Sequence, residues 1–171
     1  LLKEYTPDHE KFSIDEIFLD MTHTIHLFGD PLATADAIRQ RIRRELGFTV
    51  NIGISTNKLL AKMASDFEKP DRCHTLFPEE IPEKMWPLPI EQLFFVGDSA
   101  ARKLDNLGIH TIGELARSDP QLLKRHLGEK YALLIHRYAN GIDTDPVAER
   151  EPLNKGYGNS VTLAQDVTDL P

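Results

Sequence analysis

From Pro31 to Leu46 the apolar residues recur at helical spacing. Ala35, Ile38, Ile42 and Leu46 fall on one face, which predicts a helix with that face buried. Asp30 is a suitable N-cap, Pro31 suits the first helical position, and Gly47 marks the stop. The pattern then shortens its period. Phe48, Val50, Ile52 and Ile54 alternate with Thr49, Asn51, Gly53 and Ser55, the signature of a strand with one face on a core. A second helix starts near Ser55–Asn57. Leu59, Leu60, Met63, Ala64 and Phe67 share one side of it, with Lys58, Lys62, Ser65 and, if the helix reaches that far, Lys69 on the other, and Pro70 ends it. A short apolar stretch at Thr75–Phe77 predicts another strand.

Beyond Pro78 the texture becomes a run of short helices with explicit punctuation. Ser99 caps a helix ending at Leu107–Gly108. Thr111 and Glu114 form a capping-box pair, Asp119–Pro120 opens a helix that stops at Gly128, and a last one runs to Asn140–Gly141. Prolines at 78, 82, 87 and 89 mark the junction, and residues 142–155 read as a linker. The fold class is therefore α+β: a small mixed sheet with packed helices, then a small all-α unit of roughly seventy residues, near the lower limit for folding alone.

Composition narrows the function classes. The 171 residues are 40% hydrophobic, enough for a core, and no apolar run approaches the roughly 20 residues that span a bilayer. The lone Cys73 makes no internal disulfide, so a cytoplasmic location is expected and a disulfide scaffold is excluded. The net charge of −7 argues against binding a polyanion. The positive charge is nevertheless gathered: residues 31–77 hold eight basic against five acidic side chains, behind an acidic first thirty.

Three segments can carry chemistry. In Ser13-Ile14-Asp15-Glu16-Ile17-Phe18-Leu19-Asp20 the apolar alternation changes phase at Asp15–Glu16. A turn or bulge there brings both carboxylates to one edge, where hard oxygen ligands suit Mg²⁺; taken alone, the pair reads more simply as a solvated acidic turn. The lysine stripe ends at Lys69, placed for a phosphate, though wet-face lysines also serve solubility alone. Leu93 to Leu104 has the form of a helix-hairpin-helix, whose backbone N–H groups at Val96, Gly97, Asp98 and Ser99 can bind a DNA phosphate, or of an ordinary corner between helices. His23, His26, His74 and His110 show no metal spacing.

Taken in order, these segments resemble the Y-family DNA polymerases, the DinB/UmuC/ImpB type that copies damaged templates. The matching stretches are Ser13–Asp20, Gly53-Ile54-Ser55 through Ala61-Lys62-Met63-Ala64-Ser65-Asp66, Lys69-Pro70 and Leu107-Gly108-Ile109. Gly158-Asn159-Ser160 with Asp166 is similar to the opening of the family's C-terminal domain. The resemblance implies a partial palm in 1–77, a helical thumb in 78–150, and a linker and truncated start of the little finger DNA-binding domain in 151–171. It implies translesion DNA synthesis by two-metal nucleotidyl transfer: Asp15 and Glu16 catalytic and binding Mg²⁺, Lys69 on the triphosphate of the deoxynucleoside triphosphate, and the 96–99 hairpin on primer-template or damaged DNA. A sliding clamp is a further partner of such enzymes.

The family's first metal-binding aspartate and its fingers lie upstream of the Ser13–Asp20 motif, where this chain has about a dozen residues. The implied reading is a fragment that does not polymerise by itself. A non-catalytic DNA-binding accessory relative is the alternative. Two departures bear on function. Phe95-Val96-Gly97-Asp98 replaces the usual Gly-x-Gly followed by a basic or polar residue, which predicts weaker DNA contact, and Asp71-Arg72 follows Lys69-Pro70 in place of the commoner Asn-Gly.

Overall fold

The computed structural model describes residues 1–147 together with Gly158 and Ser160. The expected start of a further domain at 151–171 otherwise lies outside the described residues. The chain opens with an antiparallel hairpin, β1 (His9–Lys11) and β2 (Ile17–Leu19), in the register His9 to Leu19 and Lys11 to Ile17. Helix α1 (Pro31–Leu46) follows, then β3 (Ile52–Ile54), α2 (Lys58–Ser65) and β4 (Cys73–Thr75). β3 and β4 pair in parallel across the α2 crossover, so the mixed strand directions are divided between two two-stranded ladders. The remainder is helical: α3 (Asp98–Asp105), α4 (Ile112–Arg117), α5 (Pro120–Leu127) and α6 (Glu129–Ala139). No helix among the described residues is long and apolar enough to cross a membrane.

Local signals explain most boundaries. The Asp30 carboxylate accepts from the Ala33 N–H at 2.8 Å, and Gly47 closes α1 in the left-handed region at φ 79°. Asn57 caps α2 through the Leu60 N–H at 2.9 Å. Thr111 and Glu114 form the reciprocal capping box of α4, at 3.2 Å and 2.9 Å. Five expectations need correction. Helix α2 stops at Ser65 with Asp66 as its C-cap, short of Lys69 and Pro70. Gly97, not Ser99, is the N-cap of α3, and Ser99 lies within the first turn. Leu46 is exposed, because the last turn of α1 runs past the strands it covers with Ala35, Ile38 and Ile42. The strand expected from Phe48 begins only at Ile52, and Phe48 is exposed. Asn51 accounts for that delay: its amide donates to the Ser65 and Glu68 carbonyls at 3.0 and 2.8 Å and its oxygen accepts from the Arg72 N–H at 3.2 Å. These bonds take the place of a strand partner until β4 arrives. The later strand likewise sits at Cys73–Thr75, slightly ahead of the expected Thr75–Phe77.

The core is continuous across residue 78. Leu59, Leu60, Met63 and Ala64 of α2 join Leu76, Met85, Ile90, Leu93, Leu104, Ile112, Leu115, Leu123 and Ile135 in one buried cluster. Each fully buried leucine or isoleucine contributes about 1.5–3 kcal/mol. The Trp86 indole N–H donates to the Ala139 carbonyl at 3.0 Å, fastening the end of α6 to the segment before α3. On its other side α2 lies hard against β3. A Cβ placed on Gly53 would stand 1.8 Å from the Ala61 carbonyl oxygen and 2.5 Å from the Ser65 nitrogen, both backbone. Only glycine admits the helix at that distance.

Candidate active site

Asp15 and Glu16 sit at the tip of the β1–β2 hairpin. The chain turns through Ser13, Ile14 and Asp15, and the Phe12 and Ser13 N–H groups both donate to the Glu16 carbonyl, at 3.0 and 3.2 Å. This turn absorbs the phase change in the apolar alternation. It also places both acids around one hydroxyl: Ser13 Oγ donates to Asp15 Oδ1 at 2.8 Å and lies 3.4 Å from Glu16 Oε2. Asp15 is exposed and Glu16 partly covered. Carboxylate oxygens of this kind are a hard donor set that suits Mg²⁺. Among the described residues there is no group of three or more His, Cys, Asp or Glu side chains that could hold a metal ion.

The lysines of α2 face this hairpin rather than open water. Lys58 Nζ pairs with Glu10 Oε2 at 2.8 Å and lies 5.7 Å from the Phe18 ring centroid. Lys62 Nζ makes a close ion pair with Glu16 Oε1 and a second with Asp66 Oδ2 at 3.0 Å; its side chain is only 14% exposed. Burial opposes the Lys62 charge, but its hydrogen bonds to Glu16 and Asp66 outweigh burial and raise its pKa above the ordinary lysine value. Asp66 Oδ1 then receives Lys69 Nζ at 2.7 Å. Burial pushes the Asp66 carboxyl up, and the hydrogen bonds from Lys69 and Lys62 draw it further down, to a net value below the usual 3.8. Lys69 is 59% exposed at the far end of this row.

The turn after Lys69 is held from α1. Asp71, in the left-handed region at φ 61°, receives Arg39 at 2.8 Å and Arg43 at 2.7 Å. The replacement of Asn-Gly by Asp71-Arg72 therefore builds a clamp between α1 and this turn.

The 95–99 hairpin lies apart from these charges in sequence. Phe95 occupies the left-handed region at φ 71°, the conformation a glycine would favour, and is held by the Tyr131 hydroxyl donating to its carbonyl at 2.8 Å. The Val96 side chain is buried, while Gly97, Asp98 and Ser99 are exposed. A Cβ at Gly97 would meet nothing within 4 Å. The N–H groups of Gly97, Asp98 and Ser99 have no hydrogen-bond acceptor among the described residues, but the Val96 N–H, expected as a fourth phosphate donor, is already bonded to the Leu93 carbonyl at 2.9 Å.

Comparison with known proteins decides the family. The model of the impB/mucB/samB family matches residues 1–66, and that of the DNA polymerase-iota thumb domain matches residues 92–143. DNA polymerase IV of Clostridium acetobutylicum is 48% identical over 169 residues, covering 99% of this chain and 42% of that protein. DNA polymerase IV 1 of Bacillus subtilis is 46% identical over 170 residues, covering 99% and 41%. DinB from Sulfolobus solfataricus superposes with a TM-score of 0.76 at 28% identity, over 86% of this chain and 44% of that one. The chain belongs to the Y family of DNA polymerases. An insertion ternary complex of Dbh DNA polymerase matches this Y-family chain with a TM-score of 0.75 at 29% identity, over 85% of this chain and 43% of the other. The chain spans about two-fifths of the length of the curated relatives it matches.

Within this Y-family chain, two side chains next to the candidate ligands were not singled out from the sequence as site residues. Lys62 appeared as one of several wet-face lysines, and Asp66 as part of a matching stretch. The i, i+4 spacing of Lys62 and Asp66 and the i, i+3 spacing of Asp66 and Lys69 signal the pairing. Nothing in the spacing shows that the hairpin closes over that face, because the contact joins residues 46 positions apart.

Proposed function

We propose that this chain is the palm and thumb part of a translesion DNA polymerase that acts by template-directed, two-metal nucleotidyl transfer. The observation that carries the reading is the gathering of Asp15 and Glu16 about the Ser13 hydroxyl, at one end of the row Glu16–Lys62–Asp66–Lys69. Asp15 and Glu16 would hold Mg²⁺ together with a further ligand of the complete protein. When bound, the ions lower the pKa of the attacking hydroxyl and neutralise charge building on the phosphate. The protein's own share is positional. Ser13 keeps the two carboxylates on one side of the turn, and Lys62 occupies Glu16 Oε1 while Oε2 stays toward the Ser13 hydroxyl. Lys69 offers an exposed ammonium to the triphosphate. The free N–H groups of Gly97, Asp98 and Ser99, with the buried Val96 anchoring them, hold a phosphate of primer-template DNA without reading sequence.

In the complete protein, Asp15→Asn or Glu16→Gln abolishes nucleotide incorporation and leaves the fold intact, since neutral amides bind Mg²⁺ poorly. Primer extension near the normal rate by either variant refutes the assigned roles. The same assay on the isolated 171-residue chain is expected to give no extension, since two carboxylates alone do not hold two ions.

A further inference from the structure

Asp66 stands where two supports of the site meet. It is the C-cap of α2, with its N–H donating to the Met63 carbonyl at 3.1 Å, and Met63 and Ala64 are buried in the core. Its position is therefore fixed by packing. Its two carboxylate oxygens are divided between two ammonium groups, Oδ2 with Lys62 at 3.0 Å and Oδ1 with Lys69 at 2.7 Å. Lys69 lies beyond the helix end on a long flexible stem, and among the described residues Asp66 is its one ion-pair partner. An ammonium has three donors, so one can stay on Asp66 while two remain for a ligand.

We propose that Asp66 is a positioning residue for nucleotide capture: its carboxylate holds the Lys69 ammonium where the triphosphate of the incoming nucleotide arrives. The inference rests on reading Lys69 as a triphosphate ligand. Without Asp66, Lys69 samples many rotamers and must be ordered by the nucleotide itself, which weakens capture of the nucleotide more than the chemical step. Lys62, left with Glu16 alone, remains in place through its burial. Asparagine does not substitute, because its amide nitrogen would face one of the two ammonium groups as a second donor. Glutamate keeps both acceptors and adds one methylene of reach.

The test compares Asp66→Asn, Asp66→Glu, Lys69→Ala and the double variant Asp66→Asn/Lys69→Ala in the complete protein. Each is scored for single-nucleotide incorporation and for equilibrium binding of nucleotide to enzyme on a chain-terminated primer-template, with the thermal midpoint measured alongside. Asp66→Asn is expected to raise KM and the nucleotide Kd by about fivefold at most, the upper end for an exposed ion pair. Asp66→Glu should stay within about twofold of wild type, and Asp66→Asn should add less than about twofold to Lys69→Ala. Three results overturn the inference: an unchanged nucleotide Kd in Asp66→Asn while Lys69→Ala weakens binding, equal losses in the Asn and Glu variants, or a full Asp66→Asn effect persisting without Lys69. A different result, Lys69→Ala with normal nucleotide binding, removes the triphosphate role of Lys69 itself and with it the premise.

Discussion

Replacing Gly53 by alanine tests whether the close approach of α2 to β3 is what sets the site. The added Cβ would lie 1.8 Å from the Ala61 oxygen, and real Cβ contacts essentially never fall below 3.0 Å, so helix and strand must part by 1.2 Å or more. The obstructing atoms are the Ala61 carbonyl and the Ser65 nitrogen, which cannot rotate away as a side-chain tip would. Overpacking of this kind costs about 1–3 kcal/mol and occasionally more. Restricting the unfolded chain returns about 0.4–1 kcal/mol, less than the expected loss. For a chain of this size each kcal/mol moves the midpoint by about 2–4 °C, so thermal unfolding followed by circular dichroism should show Gly53→Ala lower by roughly 3–10 °C.

The same displacement carries Lys62 and Asp66 away from the hairpin, and a misplacement of about 1 Å near reacting groups can cost 10²-fold in rate. Incorporation by the complete protein should therefore fall further than the loss of folded enzyme explains. A midpoint at or above wild type refutes the argument. So does rescue by Ala61→Gly: truncating that side chain leaves the obstructing carbonyl in place and should restore nothing.

Two further outcomes are expected. Asp98 is exposed in the first turn of α3 beside the free N–H groups of the hairpin, so Asp98→Lys should tighten duplex DNA binding by about fivefold at most at low salt, with the gain fading as salt rises; unchanged or weaker binding in a salt-titrated measurement makes 95–99 a structural corner. The Asp66 carboxyl is held below its usual 3.8, so the stability it contributes is present above that pH and is lost as pH falls through the lowered value. Asp66→Asn should flatten the acid limb of a urea-midpoint-against-pH curve below pH 4, and an acid limb as steep as wild type shows that the two lysines do not hold this carboxylate in solution.

Elements set by local chemistry were legible in the sequence. Asp30, Pro31 and Gly47 bound α1, Thr111 and Glu114 cap α4, and Pro120 and Gly128 delimit α5, each through contacts within a few residues. The turn at Asp15–Glu16 was legible for a different reason: the side-chain period of a strand is two, so a phase change requires an extra residue or a reversal. What escaped depends on distant partners. The Phe48–Val50 alternation looks like strand, but the chain there has no neighbour to pair with until Arg72 and Cys73 approach. The lysine face of α2 looks like a solvated face because the acids that cover it come from a hairpin some fifty residues earlier.

Charge shows the same limit, and the resolution bears on function. The basic excess of residues 31–77 suggests a surface for nucleic acid, yet every lysine and arginine in that segment is ion-paired to a carboxylate. Pairing alone does not remove them from phosphate binding, since an exposed pair is held weakly and gives way to a stronger anion. Exposure separates the two kinds. Lys58 and Lys62, at 18% and 14%, are enclosed between α2 and the hairpin and cannot turn outward without opening that contact. Arg43, Arg44, Arg72 and Lys69, at 65%, 71%, 58% and 59%, are open enough to turn a donor to a phosphate. Of these four, Lys69 alone shares a carboxylate with the lysine that grips Glu16, and that connection, rather than the sum of positive charge, is what joins an exposed ammonium to the Asp15–Glu16 turn.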